Sequence, residues 1–432
     1  MKIFKIIFVV ILSLNSLESF AQNTKISSYT FGEGLNFKNE NGSTVKLQGY
    51  LQPYFESKGY SEYDGRENRY RMRRIRLRLT GTSANEKFSY RFQVDLAGAD
   101  EGEDDINNYL LDAYISYDVT NRIEVSLGQR ATYTDNRELF MSSIALQLAE
   151  RSRLTSAFAT IREFGLFVRG NFKTGGGSYV KPAFVLTNGD GSNVFGKDHG
   201  GLKIGGRVDF LPFGLFRNKG QFRQPDMARE LTPKLVIGVQ FSQNNGMSSR
   251  RGRGSGDILY LNAEDEETLP DYTKYGADFM FKYKGFSVLG EFVKSKAIVP
   301  GDITQRIRND GTNSTTFTVD GVQDIDSYVR GRMVLGEAYN IQGGYLFKNG
   351  ISVDARYTYL NADDNSFLNN ATVYNRPKYY TLGVSKYLSR SYGAKIQASY
   401  TLIDGSLGIN NNDGDPITGD ENLIRVILTL AF

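Results

Sequence analysis

Apolar and polar side chains alternate with a period of two along most of this chain. In the final segment every second residue is apolar: Ile424, Val426, Leu428, Leu430 and Phe432. Because successive side chains of a β-strand point to opposite faces, the alternation predicts strands with one apolar face and one mixed face. It recurs in sixteen segments, at 45–56, 74–79, 88–96, 111–119, 122–131, 163–172, 178–187, 201–211, 234–242, 272–284, 285–296, 335–348, 350–361, 378–388, 392–402 and 423–432.

The connections between these predicted strands alternate in length. On one side they are short, at 82–85, 120–121, 173–177, 284–285, 349–350 and 389–391. On the other side they are long, at 57–69, 97–107, 132–162, 188–200, 243–271, 297–334, 361–377 and 403–421. Short periplasmic turns and long external loops are typical of outer-membrane barrels. The stretch 212–233 departs from this rule, because it should be a short turn yet has more than twenty residues.

Strands of about ten residues suit tilted crossings of an outer-membrane bilayer. Lipid offers no hydrogen-bond partner to a free strand edge, so a spanning sheet must close on itself. The predicted fold is therefore all-β, a transmembrane antiparallel β-barrel of about sixteen strands over residues 45–432. A barrel of this size leaves an aqueous channel, so passive diffusion through a pore is the expected activity.

The first residues have the features of a secretion signal. Lys2 and Lys5 precede a short apolar run at 6–14, and small residues lie at Ser19 and Ala21. The run is well below the roughly twenty residues that a spanning helix needs, so we expect a signal peptide over 1–21, cleaved before Gln22. Segment 22–44 is then a periplasmic extension, and the predicted location is the outer membrane of a Gram-negative bacterium.

The composition of the chain excludes several kinds of functional site. The chain has no cysteine and one histidine, and its formal net charge is +4. Without cysteine, a disulfide framework, a thiolate metal site and a cysteine nucleophile are excluded. The histidine, His199, lies in a predicted loop without a supporting motif. We therefore expect no catalytic residue, no metal and no cofactor. The nearly balanced charge means that any electrostatic preference must come from the placement of charges.

A row of arginines is the strongest candidate for solute contact. Arg74, Arg76 and Arg78 alternate with apolar residues, which predicts three guanidinium groups along one lumen wall, preceded by Arg71 and Arg73. A guanidinium keeps its charge and offers a planar fork of donors to phosphate-like anions. The alternative is that these charges only pair across strands. Other inward-phase cations are Lys46, Arg91, Arg122, Arg130, Arg169, Lys203, Arg207, Lys274, Lys282, Arg356, Lys395 and Arg425, and inward-phase acids are Glu56, Asp95, Asp112, Asp118, Glu124, Asp209, Asp278, Glu291 and Asp354.

The long segment 132–162 is the third long loop and is predicted to fold into the barrel. It contains Arg137, Arg151, Arg153 and Arg162, and residues 138–154 have helix-like spacing. An inward loop would bring its arginines to the constriction. The alternative is a surface helix with a solvated polar face.

Two charge runs fall in other loops. One is acidic: Asp100, Glu101, Glu103, Asp104 and Asp105. The other has Arg250, Arg251 and Arg253, followed by Glu264, Asp265, Glu266 and Glu267. Both are interpreted as solvated loop tips. The alternative for the first is a site for divalent ions at the lipopolysaccharide surface.

Several segments, in this order, resemble the phosphate-selective porin O and P family. They are the arginine-rich stretch 71–81, the Glu-Arg-Ser motif at 150–152 with Ala157 and Phe158, the Arg-Glu-Phe-Gly run at 162–165, Asn-Gly-Asp-Gly at 188–191, the stretch 203–214 and the stretches 275–278 and 290–291. The terminal Phe432 is similar to the signal that barrel assembly machinery reads. Together these segments extend over nearly all of the mature chain.

The resemblance implies a sixteen-stranded barrel that is usually a homotrimer, with an arginine ladder leading to a constriction. Carried onto this sequence, the ladder is Arg74, Arg76 and Arg78, with Arg151 and Arg153 on the inward loop. The sequence departs from the family in two places. The loops are mixed or acidic instead of lysine-rich, and the Pro-Phe-Gly pattern after 128–130 is missing.

The predicted function is an outer-membrane porin for passive diffusion of small anions, with phosphate and polyphosphate as candidate solutes. The predicted anion pathway consists of Arg74, Arg76, Arg78, Arg91, Arg130, Arg151, Arg153 and Arg162. A general, non-selective porin is one alternative, and a barrel without transport, an adhesin or a hydrolase, is another. The expected partners are small inorganic or organic anions, outer-membrane lipid, lipopolysaccharide and assembly machinery, but no nucleic acid.

Overall fold

In a computed structural model, sixteen antiparallel strands form one closed barrel. The structure describes residues 24–97, 109–194, 199–249, 259–308, 310–411, 414–417 and 419–432. The barrel strands are β1 (Thr44–Tyr60), β2 (Tyr63–Thr82), β3 (Phe88–Asp95), β4 (Leu110–Asp118), β5 (Ile123–Ala131), β6 (Arg162–Gly170), β7 (Ser178–Thr187), β8 (Lys203–Leu211), β9 (Lys234–Asn244), β10 (Asp271–Tyr283), β11 (Phe286–Ile298), β12 (Gly336–Leu346), β13 (Ile351–Ala362), β14 (Lys378–Tyr387), β15 (Ala394–Ile403) and β16 (Glu421–Ala431). Each strand pairs with its neighbours, and β16 pairs with β1. The predicted strand count is confirmed.

The period-two pattern separates an outer from an inner face, as β14 illustrates. Tyr380, Leu382 and Val384 are 48%, 66% and 53% exposed, whereas Thr381 and Ser385 point inward and are buried. An apolar outer face suits hydrocarbon, and the closed ladder pairs the backbone groups that lipid cannot satisfy.

The seam of the barrel depends on the last residue of the chain. Phe432 and Gly49 exchange two backbone hydrogen bonds of 2.9 Å. The Phe432 ring lies over Gly49 so closely that a Cβ atom at this position would be 2.5 Å from its Cζ atom. Gly49 is therefore required where the first and last strands meet.

The predicted loop 57–69 is wrong. Strands β1 and β2 continue through it and leave only Ser61 and Glu62 between them. Its residues are polar, so the apolar alternation stops, but cross-strand contacts continue. Arg66 Nε donates to Ser57 Oγ at 2.7 Å, and other polar pairs extend the ladder. Strand β1 also pairs with β16 as far as Tyr60. Residues 64–70 on β2 are exposed, so polar residues suit this end of the strand.

The predicted periplasmic extension contains a hairpin of Thr24–Thr30 and Gly34–Asn39. Its second strand pairs with the start of β1, with Leu35 opposite Leu47. The hairpin therefore adds to the sheet at the end with the short turns.

Several long loops pack into a cap over one part of the barrel. Its elements are the short strands Leu259–Leu261, Gln305–Ile307, Asn313–Ser314, Thr318–Val319 and Val322–Gln323 and helix Ile325–Arg330. Tyr260, Phe317, Val329 and Met333 belong to its buried apolar core. The acidic run 264–267 is exposed on it, whereas the charge runs 100–105 and 250–253 lie outside the described residues.

The remaining elements are short. They are strands Phe172–Gly175, Ile409–Asn410 and Pro416–Ile417, helix Arg153–Phe158, and 3-10 turns Arg137–Phe140, Ser143–Ala145, Arg217–Phe222 and Phe367–Asn369. Within the described ranges, no helix has the length and apolar character needed to cross a bilayer.

Candidate functional site

The connection between β5 and β6 lies inside the barrel, as predicted, and residues 132–161 are called the inward loop from here on. Arg137 of the inward loop is fully buried. Its Nη2 donates to Asp209 on β8 and its Nε to Asp278 on β10, each at 2.8 Å. Arg207 binds the same two carboxylates at 2.7 and 2.5 Å. Two arginines thus neutralise two buried acids between loop and wall.

The inward loop is also bonded to the opposite wall. Lys395 Nζ on β15 donates to the Leu146 carbonyl at 2.6 Å. The Gln147 carbonyl accepts from Gln397 Nε2 at 2.6 Å and from Ser385 Oγ at 3.0 Å. The inward loop therefore crosses the lumen, with bonds to β8 and β10 on one side and to β14 and β15 on the other.

The helix predicted from the spacing of 138–154 is wrong, because the loop uses its backbone groups elsewhere. It forms two 3-10 turns and, from Arg153, one six-residue helix. Carbonyl groups that accept from the wall are not available to a helical ladder. Glu138 is buried and accepts from Ser152 N at 2.8 Å and from Thr155 Oγ1 at 2.6 Å, which folds the loop back on itself.

A second segment enters the lumen from the end with the short turns. Residues 212–233, which broke the length rule, are a real insertion and are called the plug segment. Gln224 lies at its tip, where its Oε1 accepts from Gln147 N at 2.7 Å and its Nε2 donates to Glu138 at 2.8 Å. Asp226 Oδ2 accepts from Gly285 N at 2.8 Å. The two inserted segments therefore meet inside the barrel.

These two segments form an apolar core in the part of the lumen next to β8–β11. Met141 and Leu146 of the inward loop and Phe216 of the plug segment pack against Leu211, Val236, Met280 and Leu289 of the wall. The open space lies on the other side of the inward loop, against β1–β6 and β13–β16. Strand number alone thus does not set the width of this channel.

The open part of the lumen is a cavity of about 720 Å³ with an unbalanced lining. Among the described residues, sixteen cationic side chains and four carboxylates line it, an excess of twelve positive charges. The cations are Lys58, Arg69, Arg71, Arg73, Arg74, Arg76, Arg91, Arg130, Arg151, Arg153, Arg162, Arg169, Lys219, Arg356, Arg376 and Arg425, and the acids are Glu56, Asp112, Glu150 and Glu421.

A β-bulge places more arginines in the lumen than strict alternation allows. The β1–β2 register pairs Gln52 with Arg74 and Pro53 with Met72, which leaves Arg73 as the extra residue. Beyond the bulge the phase is shifted, so that odd-numbered arginines also point inward. One strand then carries a ladder: Arg69, Arg71, Arg73, Arg74, Arg76 and Arg78. Bulges commonly re-aim side chains, and proline in a strand favours one.

The three predicted ladder arginines have different surroundings. Arg74 Nη2 is 2.8 Å from Glu150 on the inward loop. Arg76 Nε is 2.7 Å from Asp95. Arg78 donates to Gln48 at 3.0 Å and does not belong to the cavity lining.

Three further predicted residues lie on the wall next to the ladder. Arg162 is 2.8 Å from Asp112, which Arg91 approaches at 3.9 Å. Arg130 stacks on Tyr114 with its guanidinium 4.2 Å from the ring centroid. All three arginines line the cavity.

Arg151 faces the ladder from the inward loop. It donates to Met141 O at 2.6 Å and to Ser143 Oγ at 3.2 Å, and Arg76 donates to the same hydroxyl at 3.3 Å. No carboxylate in the described part of the chain forms a salt bridge with Arg151, and its buried Nε atom has no hydrogen-bond partner there. Burial, and then the charge of Arg74, lower the pKa of Arg151 to about 10. It remains cationic at neutral pH.

Arg153 is the second predicted arginine of the inward loop. Its guanidinium lies 4.4 Å from the centroid of the Tyr374 ring and donates to the Val373 carbonyl. It therefore joins the inward loop to the loop between β13 and β14.

Several cavity residues were not in the predicted pathway. Arg169, Arg356 and Arg425 lie on inward-phase positions, so alternation had indicated their direction but not their proximity. Arg69 and Lys58 belong to the hairpin extension, which the sequence pattern predicts as the loop 57–69. Their signal is the cross-strand complementarity of Glu56 with Arg69 and of Lys58 with Glu67, which can be recognised only once the hairpin register is known.

The single histidine is at the rim, away from this cavity. His199 Nδ1 lies 3.0 Å from Glu267 Oε1 and joins two loops. The described ranges hold no group of three potential metal ligands among His, Asp and Glu.

The chain is similar to one known protein family and to several solved structures of outer-membrane channels. A family model described as phosphate-selective porin O and P matches residues 45–321. The outer-membrane channel DcaP of Acinetobacter baumannii is 14% identical, with a TM-score of 0.49 over 91% of this chain and 99% of that chain. The anion-selective porin from Comamonas acidovorans is 14% identical, with a TM-score of 0.48 over 90% and 100%. OmpT of Vibrio cholerae is 13% identical, with a TM-score of 0.46 over 90% and 99%. No curated protein sequence matches the chain.

Proposed function

The chain belongs to the phosphate-selective porin O and P family and forms an outer-membrane channel, and from this premise we propose that its solutes are small anions. The observation that carries the proposal is the lining of the cavity, with sixteen cationic side chains against four carboxylates. A cleft lined by one sign of charge in a low-dielectric wall concentrates ions of the opposite sign.

The path of an anion follows the ladder on β2. From the hairpin extension inward, it meets Arg69 and Arg71, then Arg73 and Arg74, and then the point where Arg76 and Arg151 share Ser143. We propose that this pair of guanidinium groups, which share one hydroxyl, forms the cationic passage. Their planar forks fit phosphate or carboxylate oxygens in pairs. Phosphate is therefore the first candidate solute, and polyphosphate could contact several rungs at once.

Arg151 is the best residue for a test, because no carboxylate in the described residues forms a salt bridge with it. Its replacement by glutamine removes a charge from the passage without leaving an acid unpaired. Lys294→Gln is a matched control, because Lys294 pairs with Glu337 at 2.9 Å and does not line the cavity.

The experiment measures the reversal potential of purified protein in planar bilayers under a KCl gradient, followed by phosphate titration of the chloride current. We expect anion selectivity and phosphate block, both weakened by Arg151→Gln and unchanged in Lys294→Gln. Ohmic current without selectivity or block would contradict the proposal and indicate a general diffusion porin. Absence of current from folded protein would indicate a barrel without transport.

Assembly and export belong to the same proposal. We propose a homotrimer in outer-membrane lipid and lipopolysaccharide, assembled through recognition of Phe432. Native mass measurement in detergent tests the trimer. The mature N-terminus, expected at Gln22, is tested by mass spectrometry of protein taken from outer membranes.

A further inference from the structure

The carboxylate of Glu150 occupies the ladder where the bulge presents two consecutive arginines. Its Oε1 is 2.7 Å from Arg73 Nε and its Oε2 is 2.8 Å from Arg74 Nη2. The side chain lines the open cavity and is 11% exposed. A planar carboxylate bound through both oxygens is the arrangement that arginines also offer to a free oxyanion.

Glu150 differs from the other acids of the inward loop. Asp135 and Glu138 are buried against the wall or the loop itself and do not line the cavity. Among the described residues, Glu150 is the single acid that the inward loop contributes to the lining. Although burial opposes its ionisation, Arg73 and Arg74 hold the pKa of the Glu150 carboxyl well below its usual range. It is therefore an anion at neutral pH.

We propose that Glu150 is a tethered competitor of the permeating anion, which determines how tightly the channel binds its solute. A free carboxylate or phosphate reaches Arg73 and Arg74 only when the Glu150 side chain gives up its place. The inference rests on the proposed anion function and adds a specificity-determining residue to it. Conduction requires binding that is strong enough for entry and weak enough for release. A tethered competitor weakens binding without removing the positive charges that attract the anion.

The backbone around Glu150 is held by other bonds, so the side chain can move without detaching the loop. The Glu150 carbonyl accepts from Arg356 Nη1 at 2.9 Å. On either side, the Gln147 carbonyl is bonded to the wall and Ser152 is bonded to Glu138. Displacement of the carboxylate thus requires a side-chain rotation only.

The test compares Glu150→Gln with Glu421→Gln. Both variants remove one carboxylate from the lining of the same cavity, but Glu421 pairs with Arg376 at 3.0 Å and not with the ladder. We expect the phosphate concentration that halves the chloride current to fall about tenfold in Glu150→Gln, equal to about 1.4 kcal/mol. In Glu421→Gln we expect a fall of less than about twofold. Liposome swelling with a neutral sugar, which reports the width of the channel, should match wild type in both variants.

The possible results separate the inference from the function on which it rests. Phosphate block in wild type with no tightening in Glu150→Gln overturns the competitor alone. Equal tightening in the two variants also overturns it, because that indicates a general effect of charge. Faster sugar entry in Glu150→Gln overturns it as well, since the residue then only holds the loop. No block in wild type overturns the anion function and the competitor together. If Glu150→Gln does not fold, Glu150→Asp, with a shorter reach, should tighten block by a smaller factor.

Discussion

Replacement of Arg137 by methionine should release the inward loop from the wall. Arg137 is fully buried and binds Asp209 and Asp278, which it shares with Arg207. In wild type this cluster of four charged groups is neutral. The replacement leaves two buried carboxylates with one arginine, and removal of one partner from a buried ion pair costs about 3–5 kcal/mol.

This free-energy cost can be converted into the fraction of channels whose inward loop is detached. A loss of about 3 kcal/mol shifts an equilibrium between attached and detached loop by more than about a hundredfold, since each 1.4 kcal/mol is a factor of ten. We expect larger and noisier single-channel currents in planar bilayers and faster sugar entry in liposome swelling. The hydrogen bonds between the barrel strands should stay intact, because Arg137 does not belong to a strand.

A compensated variant distinguishes charge balance from lost packing. Arg137→Met combined with Asp209→Asn restores neutrality, since Arg207 then faces Asp278 alone. Currents should return most of the way toward wild type. The reasoning is refuted if folded Arg137→Met conducts with wild-type amplitude and noise, or if the compensated variant is as noisy as the single variant.

Three other outcomes follow. Gly49→Val should lower the thermal unfolding temperature on heat-modifiability gels, by the equivalent of about 1–3 kcal/mol, because its side chain overlaps the Phe432 ring; an unchanged temperature would contradict the seam geometry. Gln224→Ala should leave buried groups of the inward loop, Gln147 N and a Glu138 oxygen, without their partner, at about 1–3 kcal/mol, and raise channel noise less than Arg137→Met does; quiet currents would contradict it. Acid should destabilise the protein: the pKa values of Glu150 and Asp135 are lowered in the fold, so their contribution is complete above their unfolded values of 4.5 and 3.8 and is lost as pH falls below them; an unfolding temperature that stays constant down to pH 3 would contradict it.

The strands and the direction of most side chains could be predicted because they follow from local alternation. The inward position of Arg74 and Arg76, for example, requires only a period of two and an apolar outer face. The inward loop could be predicted because 132–162 is too long for a turn and carries arginines next to a predicted pore. These features depend on residues that are close together in the sequence.

The rest depends on pairs that are distant in sequence or on breaks in the period. The bulge at Arg73 reverses the phase of Arg69 and Arg71, and it depends on register with Pro53. The role of Arg137 depends on acids on β8 and β10, which no local pattern joins to it. In the sequence, the plug segment can be recognised only by its unexpected length. Its entry into the lumen could not be predicted, because the tip residue Gln224 has an ordinary polar side chain whose partners lie on other elements.

Assembly of the barrel is constrained by the segments that fill part of its lumen. The bond from Lys395 to the Leu146 carbonyl joins residues 249 positions apart, and the bond from Arg137 to Asp278 joins residues 141 apart. The inward loop can complete its contacts only after β15 has been added, almost at the end of the chain. Contacts between distant residues are slow to form, because the chain loses conformational entropy before the contacts contribute any favourable free energy. The interior and the seam are therefore expected to form together as the last step of folding, so that a barrel with its channel incomplete is also a barrel with an open edge.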